Sequence, residues 1–169
     1  ENGKVNIQGG VVAANCGNFG GGIYVVGGEL TISGGAVTGN GVFNGHDDDG
    51  AGIYVNSGTL KLSGEGYVTN NSKSCECDAC KGDTNNTHGG GGIALANGST
   101  MEMTGGYVTG NYSSLAGGGI YAGYYDGPGG VTFSMTGGTI AANCAQYGEG
   151  GGLRIGGGDN GGTKGVIRT

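Results

Sequence analysis

Gly50-Ala-Gly-Ile-Tyr-Val55 is the stretch of sequence that decides the fold, because near copies of it recur along the chain. Each copy places small residues before an apolar-x-apolar triplet, which is the alternation of a strand with one buried face. Such self-similarity is typical of solenoids. The other copies are Gly20-Gly-Gly-Ile-Tyr-Val25, Gly90-Gly-Gly-Ile-Ala-Leu95, Gly117-Gly-Gly-Ile-Tyr-Ala122 and Gly150-Gly-Gly-Leu-Arg-Ile155.

Two further motifs follow each copy. The second is again apolar-x-apolar, as in Leu30-Thr-Ile32 and Met101-Glu-Met103, and the third has the form of Val37-Thr-Gly-Asn40. We interpret the three motifs as three short strands per coil, separated by glycine corners. The sequence therefore predicts an all-β fold, a right-handed single-stranded parallel β-helix (β-solenoid) of about five three-strand coils. We expect residues 1–169 to form one domain, with a Cys-containing loop insertion at 72–89.

An asparagine closes the third motif of every coil. It stands at the same distance after a Val or Ile each time, so it is expected to occupy one corner throughout the stack. Asparagine tolerates a left-handed corner, and stacked amides can hydrogen-bond along the axis. We predict an asparagine ladder, named here the asparagine column: Asn15, Asn40, Asn71, Asn111 and Asn143.

Composition excludes several classes of function. The chain has 47 glycines without a G-X-Y period, which is not collagen-like. A net charge of −6 with seven Lys and Arg argues against a nucleic-acid partner. No apolar run is long enough to predict a membrane span.

The glycine triplet followed by V-x-x-N resembles the GGA[ILV] and F-x-x-N repeats of chlamydial polymorphic outer membrane proteins and related bacterial surface β-helices. Gly90-Gly-Gly-Ile93 carries the first half of this resemblance, while Val or Ile replaces the family's Phe in the second half. The resemblance implies an extracellular or cell-surface, adhesin-like protein. It implies no catalytic residue, because the repeat motif contains none.

The insertion at 72–89 concentrates residues that bind metals or form disulfides. Cys75, Cys77 and Cys80 lie there with His88. A loop disulfide, a Cys3His metal site and unpaired thiols all remain open at this stage. The one acidic run of the chain, Asp47, Asp48 and Asp49, offers ligands for Ca²⁺ but lacks the spacing of a known Ca²⁺ loop; a solvated loop is the alternative, and we expect no other cofactor.

Two surface features were identified. The outward positions of the first strand form what is named here the tyrosine column: Tyr24, Tyr54, Ala94, Tyr121 and Arg154. Tyr24, Tyr54 and Tyr121 predict a contact stripe for glycans or a neighbouring solenoid, with ordinary strand preference as the alternative. N-x-[ST] sequons make Asn70, Asn85 and Asn97 candidate glycosylation sites if the source glycosylates asparagine, with chance occurrence in an Asn-rich chain as the alternative; a fourth sequon, at Asn111, coincides with the asparagine column.

No catalytic constellation emerges from the sequence, so we predict that the chain is not an enzyme. The predicted function is an extracellular structural or adhesive module; the alternative is a carbohydrate-binding or polysaccharide-degrading β-helix. Open strand edges at both ends predict copies of the chain, or the rest of a longer chain, as partners. Cys16 and Cys144 follow the first and last asparagines of the column, and they predict an intermolecular disulfide in a head-to-tail filament, with two unpaired thiols as the alternative.

Overall fold

The computed structural model describes residues 2–43, 50–74, 89–123, 130–156 and 166–168. Within these ranges the chain forms strands and no helix. The strands are β1 (Lys4–Ala13), β2 (Cys16–Gly17), β3 (Ile23–Val26), β4 (Glu29–Thr38), β5 (Gly41–Phe43), β6 (Ile53–Asn56), β7 (Thr59–Thr69), β8 (Ser72–Ser74), β9 (Ile93–Ala96), β10 (Thr100–Thr109), β11 (Tyr112–Ser113), β12 (Ile120–Ala122), β13 (Thr132–Ala141), β14 (Cys144–Ala145), β15 (Leu153–Ile155) and β16 (Val166–Arg168).

Every third strand pairs in parallel, which confirms the predicted parallel β-helix. The six-stranded sheet, named here the long sheet, has the order β1-β4-β7-β10-β13-β16. The two five-stranded sheets are β2-β5-β8-β11-β14 and β3-β6-β9-β12-β15. Each coil therefore contributes one strand to each sheet, and β16 begins a further coil on the long sheet.

The division of the motifs among strands differs from the prediction. The second and third motifs were interpreted as separate strands, but they form one strand of the long sheet, as in β4, which has 10 residues. A register shift between Ile32 and Gly34 joins the two halves in place of a corner. Gly35 has a φ of 80°, and a Cβ there would lie 2.5 Å from the carbonyl oxygen of Gly10, so only glycine fits this shift.

The third strand of each coil is the short segment that follows the asparagine. These strands have two or three residues, as in β2 and β5. The predicted insertion at 72–89 accordingly begins with ordered structure, because Ser72–Ser74 forms β8.

The core is a column of apolar side chains enclosed by the three sheets. Ile53 pairs in register with Ile93, and Leu60 with Met101, so like residues stack on like along the axis. Each of these four side chains is fully buried. Apolar burial supplies about 25 cal/mol per Å² and therefore drives the stacking of the coils. The regular sheets hold the turn residues of successive coils in line.

Candidate functional site

The asparagine column is the best-defined polar arrangement in the structure. The Nδ2 atom of Asn40 donates to Oδ1 of Asn71 at 3.0 Å, and the backbone N–H of Asn40 donates to the same oxygen at 3.0 Å. Asn71 repeats both bonds to Asn111, again at 3.0 Å. The Nδ2 atom of Asn71 also donates to the preceding coil, to the carbonyl oxygen of Val37 at 3.0 Å. Each interior amide is thereby tied to the coils on both sides.

These hydrogen bonds matter for stability because the asparagines that form them are buried. Asn40, Asn71 and Asn111 are at most 1 % exposed. A buried polar group without a partner costs about 1–3 kcal/mol, whereas a satisfied network fixes a unique arrangement. The column therefore sets the axial register of the coils.

The column also has a direction. The hydrogen bonds between its side-chain amides all run toward the later coils, from Asn15 to Asn40 and finally from Asn111 to Asn143. Within the described ranges, Oδ1 of Asn15 accepts no hydrogen bond and the backbone N–H of Asn143 donates none. One end of the column thus offers an acceptor and the other a donor.

Glycine makes room for the column, a role that sequence reasoning missed when it assigned the triplets to corners alone. A Cβ on Gly52 would lie 2.7 Å from Nδ2 of Asn71 and 2.5 Å from the carbonyl oxygen of Gly92. The third glycine of the neighbouring triplets meets the next asparagine in the same way, at 2.8–2.9 Å from Nδ2. The sequence signal for this role was that a glycine triplet and an asparagine recur together in every coil.

Cys16 and Cys144 share one column of strand positions. Cys16 pairs with Gly41, and Tyr112 pairs with Cys144, with Ser72 between Gly41 and Tyr112. Parallel strands lie about 4.8 Å apart, so the two thiols are about 19 Å apart within one chain. Both cysteines are free and exposed.

The tyrosine column is not the continuous exposed stripe that the sequence predicted. Tyr24 is 45 % exposed, but Tyr54 and Tyr121 are only 4 % and 1 % exposed. The ring of Phe19 stacks on both Tyr24 and Tyr54, with centroids 5.8 and 6.1 Å away. Arg154 lies 5.2 Å from the ring centroid of Tyr121. Covered rings of this kind pack against the scaffold and leave Tyr24 as the exposed member.

A second aromatic pair lies on the outer face of the long sheet, and sequence reasoning missed it. Tyr67 and Tyr107 stack with centroids 4.7 Å apart and planes 9° apart. Their shared context, Gly66-Tyr-Val-Thr69 and Gly106-Tyr-Val-Thr109, was the available signal. The hydroxyl of Tyr67 donates to the Glu65 carboxylate at 3.0 Å, and this hydrogen bond is the main cause that raises the pKa of Tyr67.

Charged groups lie on the same sheet, near the beginnings of its strands. Nζ of Lys61 donates to Oε2 of Glu29 at 2.7 Å, and Nζ of Lys4 lies 3.9 Å from the other oxygen. The hydrogen bond from Lys61 is the main cause that lowers the pKa of Glu29, and the same bond raises the pKa of Lys61. The face is therefore an open surface of tyrosine and paired charges.

Some of the remaining predicted site residues lie within the described ranges, and others lie outside them. Cys75, Cys77, Cys80, Asn85 and Asp47, Asp48 and Asp49 lie outside them. In the part of the chain that the structure describes, no three His, Cys, Asp or Glu side chains come together as metal ligands. Asn70 and Asn97 are described, and they differ in accessibility: Asn70 is exposed, while Asn97 is partly covered.

The described residues contain no helix long and apolar enough to cross a membrane. No family model, curated protein or solved structure matches the chain.

Proposed function

We propose that this chain is an extracellular structural or adhesive β-solenoid module that assembles head to tail with copies of itself. The observation that carries this proposal is the directional asparagine column, which joins every coil to the next by the same hydrogen bonds. A column of identical links gives a stiff rod whose length grows by adding coils. The resemblance of the glycine triplets and V-x-x-N motifs to the repeats of bacterial surface β-helices supports an extracellular or cell-surface location.

The polarity of the column selects the geometry of assembly. The N–H of Asn143 and the Oδ1 of Asn15 on a second copy are a donor and an acceptor, so head-to-tail stacking continues the ladder. The backbone continues too, because the residue after each asparagine donates to the asparagine carbonyl oxygen of the preceding coil, as Cys144 does to Asn111 at 2.9 Å. Contact between two donor ends would place N–H groups against N–H groups. These groups would lose their water without gaining an acceptor, which is unfavourable.

The long sheet imposes a condition that the sequence did not reveal. Val166 of β16 pairs with Thr132, and Thr132 continues the register position that begins at Lys4. A second copy that places its β1 on β13 would therefore meet β16 on the same edge. Assembly requires β16 to leave that edge, or residues Lys4–Asn6 of the second copy to remain unpaired.

Cys16 and Cys144 allow head-to-tail assembly to be detected as a disulfide between two copies. In the stacked arrangement, Cys16 of the second copy lies one step of about 4.8 Å beyond Cys144, within the usual Cα separation of a disulfide. Oxidised glutathione supplies the oxidising equivalents, because two thiols and one glutathione disulfide give the protein disulfide and two glutathione thiols.

Non-reducing electrophoresis with oxidised glutathione tests the proposal, together with sedimentation velocity of the same samples. We expect a series of covalent oligomers that collapses to monomer in Cys16→Ser and in Cys144→Ser alike. Oligomers that persist in either variant would arise from other cysteines and would contradict the stacked geometry. A monomer by both methods contradicts assembly altogether.

A second candidate function, carbohydrate binding, is favoured by the stacked pair Tyr67 and Tyr107. Tyr67 is 37 % exposed, and Ala36 occupies its register position in the preceding coil, where a small side chain leaves space beside the ring. A sugar ring can stack on such an aromatic face while Glu65 accepts hydrogen bonds from its hydroxyls. Glycan-array binding that is lost in Tyr67→Ala but kept in Tyr24→Ala supports this function, and equal binding by both variants contradicts it.

A further inference from the structure

Three of the N-x-[ST] sequons lie within the described ranges, and their surroundings differ sharply. Transfer of an N-linked glycan requires an Asn Nδ2 that a transferase can reach and a hydroxyl two residues later. The folded product must also have room for a bulky sugar. These requirements can be checked at each sequon: Asn70-Asn71-Ser72, Asn97-Gly98-Ser99 and Asn111-Tyr112-Ser113.

The sequon at Asn111 is inaccessible to a transferase because Asn111 belongs to the asparagine column. Asn111 is 1 % exposed, and its Nδ2 donates to Oδ1 of Asn143 at 3.0 Å and to the carbonyl oxygen of Val68 at 2.9 Å. The hydroxyl-bearing Ser113 is 0 % exposed. A glycan here would require the column to break, so it is incompatible with the fold.

The sequon at Asn97 is also inaccessible, because its asparagine and its serine both form hydrogen bonds within the fold. Its Nδ2 donates to Oδ1 of Asn56 at 3.0 Å, and its own Oδ1 is buried. Ser99 is 0 % exposed, and its hydroxyl donates to the carbonyl oxygen of Val55 at 2.7 Å. The two groups that a transferase needs are therefore both engaged in the structure.

The sequon at Asn70 is open. Asn70 follows β7 in a left-handed turn with a φ of 54°, and both Asn70 and Ser72 are exposed. Its backbone N–H donates to the carbonyl oxygen of Thr109 at 3.2 Å, while its Nδ2 has no hydrogen-bond partner among the described residues. The turn holds the backbone and leaves the side-chain amide free.

The neighbouring coils also leave room at this corner. The left-handed residues at the corresponding position of the other coils are Ala14, Gly39, Gly110 and Ala142, and all of them are small. An open depression of about 340 Å³ borders Asn70 and Ser72, and its floor includes Ala14 and Gly39. A first sugar on Asn70 can lie across this floor without displacing any side chain.

We propose that Asn70 is the acceptor of an N-linked glycan, and that Asn97 and Asn111 stay unmodified in the folded protein. The proposal rests on the extracellular location in the proposed function, since the donor is a lipid-linked oligosaccharide diphosphate of a secretory route. Nδ2 of Asn70 forms a bond to C1 of the first sugar as the bond from C1 to the diphosphate oxygen breaks. The lipid diphosphate leaves with the electron pair, and one amide proton passes to a base of the transferase.

The test is secretion of the chain from cultured eukaryotic cells as an Asn85→Gln variant, which removes the sequon outside the described ranges. Glycosidase treatment in ¹⁸O water, followed by peptide mass spectrometry, reports the occupied asparagine. We expect occupancy at Asn70 alone and its loss in Ser72→Ala, which changes an exposed hydroxyl and leaves the turn residue in place. A matched Asn97→Gln variant should keep the full glycan mass.

An unmodified Asn70 in the secreted, folded protein overturns the inference, as does a glycan on Asn97 or Asn111. Assembly is measured separately on protein from a host without the transferase. An assembling chain with an unmodified Asn70 contradicts only this inference, and a modified Asn70 in a chain that stays monomeric contradicts only the proposed assembly.

Discussion

The asparagine column and the tyrosine column run along the same solenoid, yet only the first is continuous. Asn71 bonds to the asparagines of both neighbouring coils, and the geometry repeats from coil to coil at 2.9–3.0 Å. The tyrosine column changes character along its length, from the stacked pair Tyr24 and Tyr54 at 5.2 Å to Ala94 and then to Tyr121 beneath Arg154.

The difference lies in what surrounds each column. The asparagines are enclosed by parts that every coil contributes, namely the glycine triplet and the backbone of the adjacent coil. The outward tyrosines depend on parts that do not repeat, such as Phe19 in the turn between β2 and β3. Repetition therefore determines the interior of this solenoid, whereas its surface is determined locally.

The largest effect is expected from filling the space beside the asparagine column. Gly52→Ala should destabilise the protein by more than about 3 kcal/mol, the upper end of the usual cost of overpacking, because its Cβ meets a backbone oxygen that cannot move independently. Gly39→Ala is the matched control: a Cβ there meets nothing within 4 Å, and its φ of 62° costs about 1 kcal/mol. Urea unfolding measures both, and equal losses would show that the close contact is not what constrains Gly52.

Breaking the asparagine column itself should have the next largest effect. Asn71→Ala leaves the N–H and Nδ2 of Asn40 without their acceptor, so we expect a loss of about 3 kcal/mol in the free energy of unfolding. The adjacent Asn70→Gly removes an exposed amide at a φ of 54° that glycine adopts freely, and it should change stability by less than about 0.5 kcal/mol. A small effect of Asn71→Ala in the same urea titration would contradict the role assigned to the column.

The tyrosine column should respond unevenly to truncation. Tyr54→Ala removes a ring that is 4 % exposed and stacked against Tyr24 and Phe19, so we expect a loss of about 2 kcal/mol. Tyr24→Ala removes a ring that is 45 % exposed and should cost about half as much. Equal losses by thermal unfolding would mean that the two positions are equivalent after all.

The smallest effect is expected from the charges on the long sheet. The hydrogen bond from Lys61 lowers the pKa of Glu29 below its ordinary value of 4.5, so the ionised pair stabilises the fold above that value. This contribution should disappear as the pH falls through the lowered pKa of Glu29. Lys61→Met should remove that part of the pH dependence as the pH falls below 4.5, measured by urea unfolding. An unchanged pH profile would show that the pair contributes nothing.

Periodicity in the sequence was sufficient to predict the coils, the core positions and the asparagine column, because each of these depends on contacts between equivalent residues. It was insufficient for strand boundaries, since Gly34 and Gly35 allow a register shift where corner glycines were expected. Burial of Tyr54 could not be predicted either, because it depends on the non-repeating Phe19. The distinction between Asn70 and Asn97 depends on turn geometry that the sequon alone does not encode.

The most direct test of the continuous column is the hydrogen-exchange rate of individual side-chain amides, measured by NMR on ¹⁵N-labelled protein. We expect the Nδ2 protons of Asn40, Asn71 and Asn111 to exchange orders of magnitude more slowly than those of Asn70, because both of their neighbouring coils must separate first. Exchange of Asn71 as fast as that of Asn70 would contradict a continuous asparagine column.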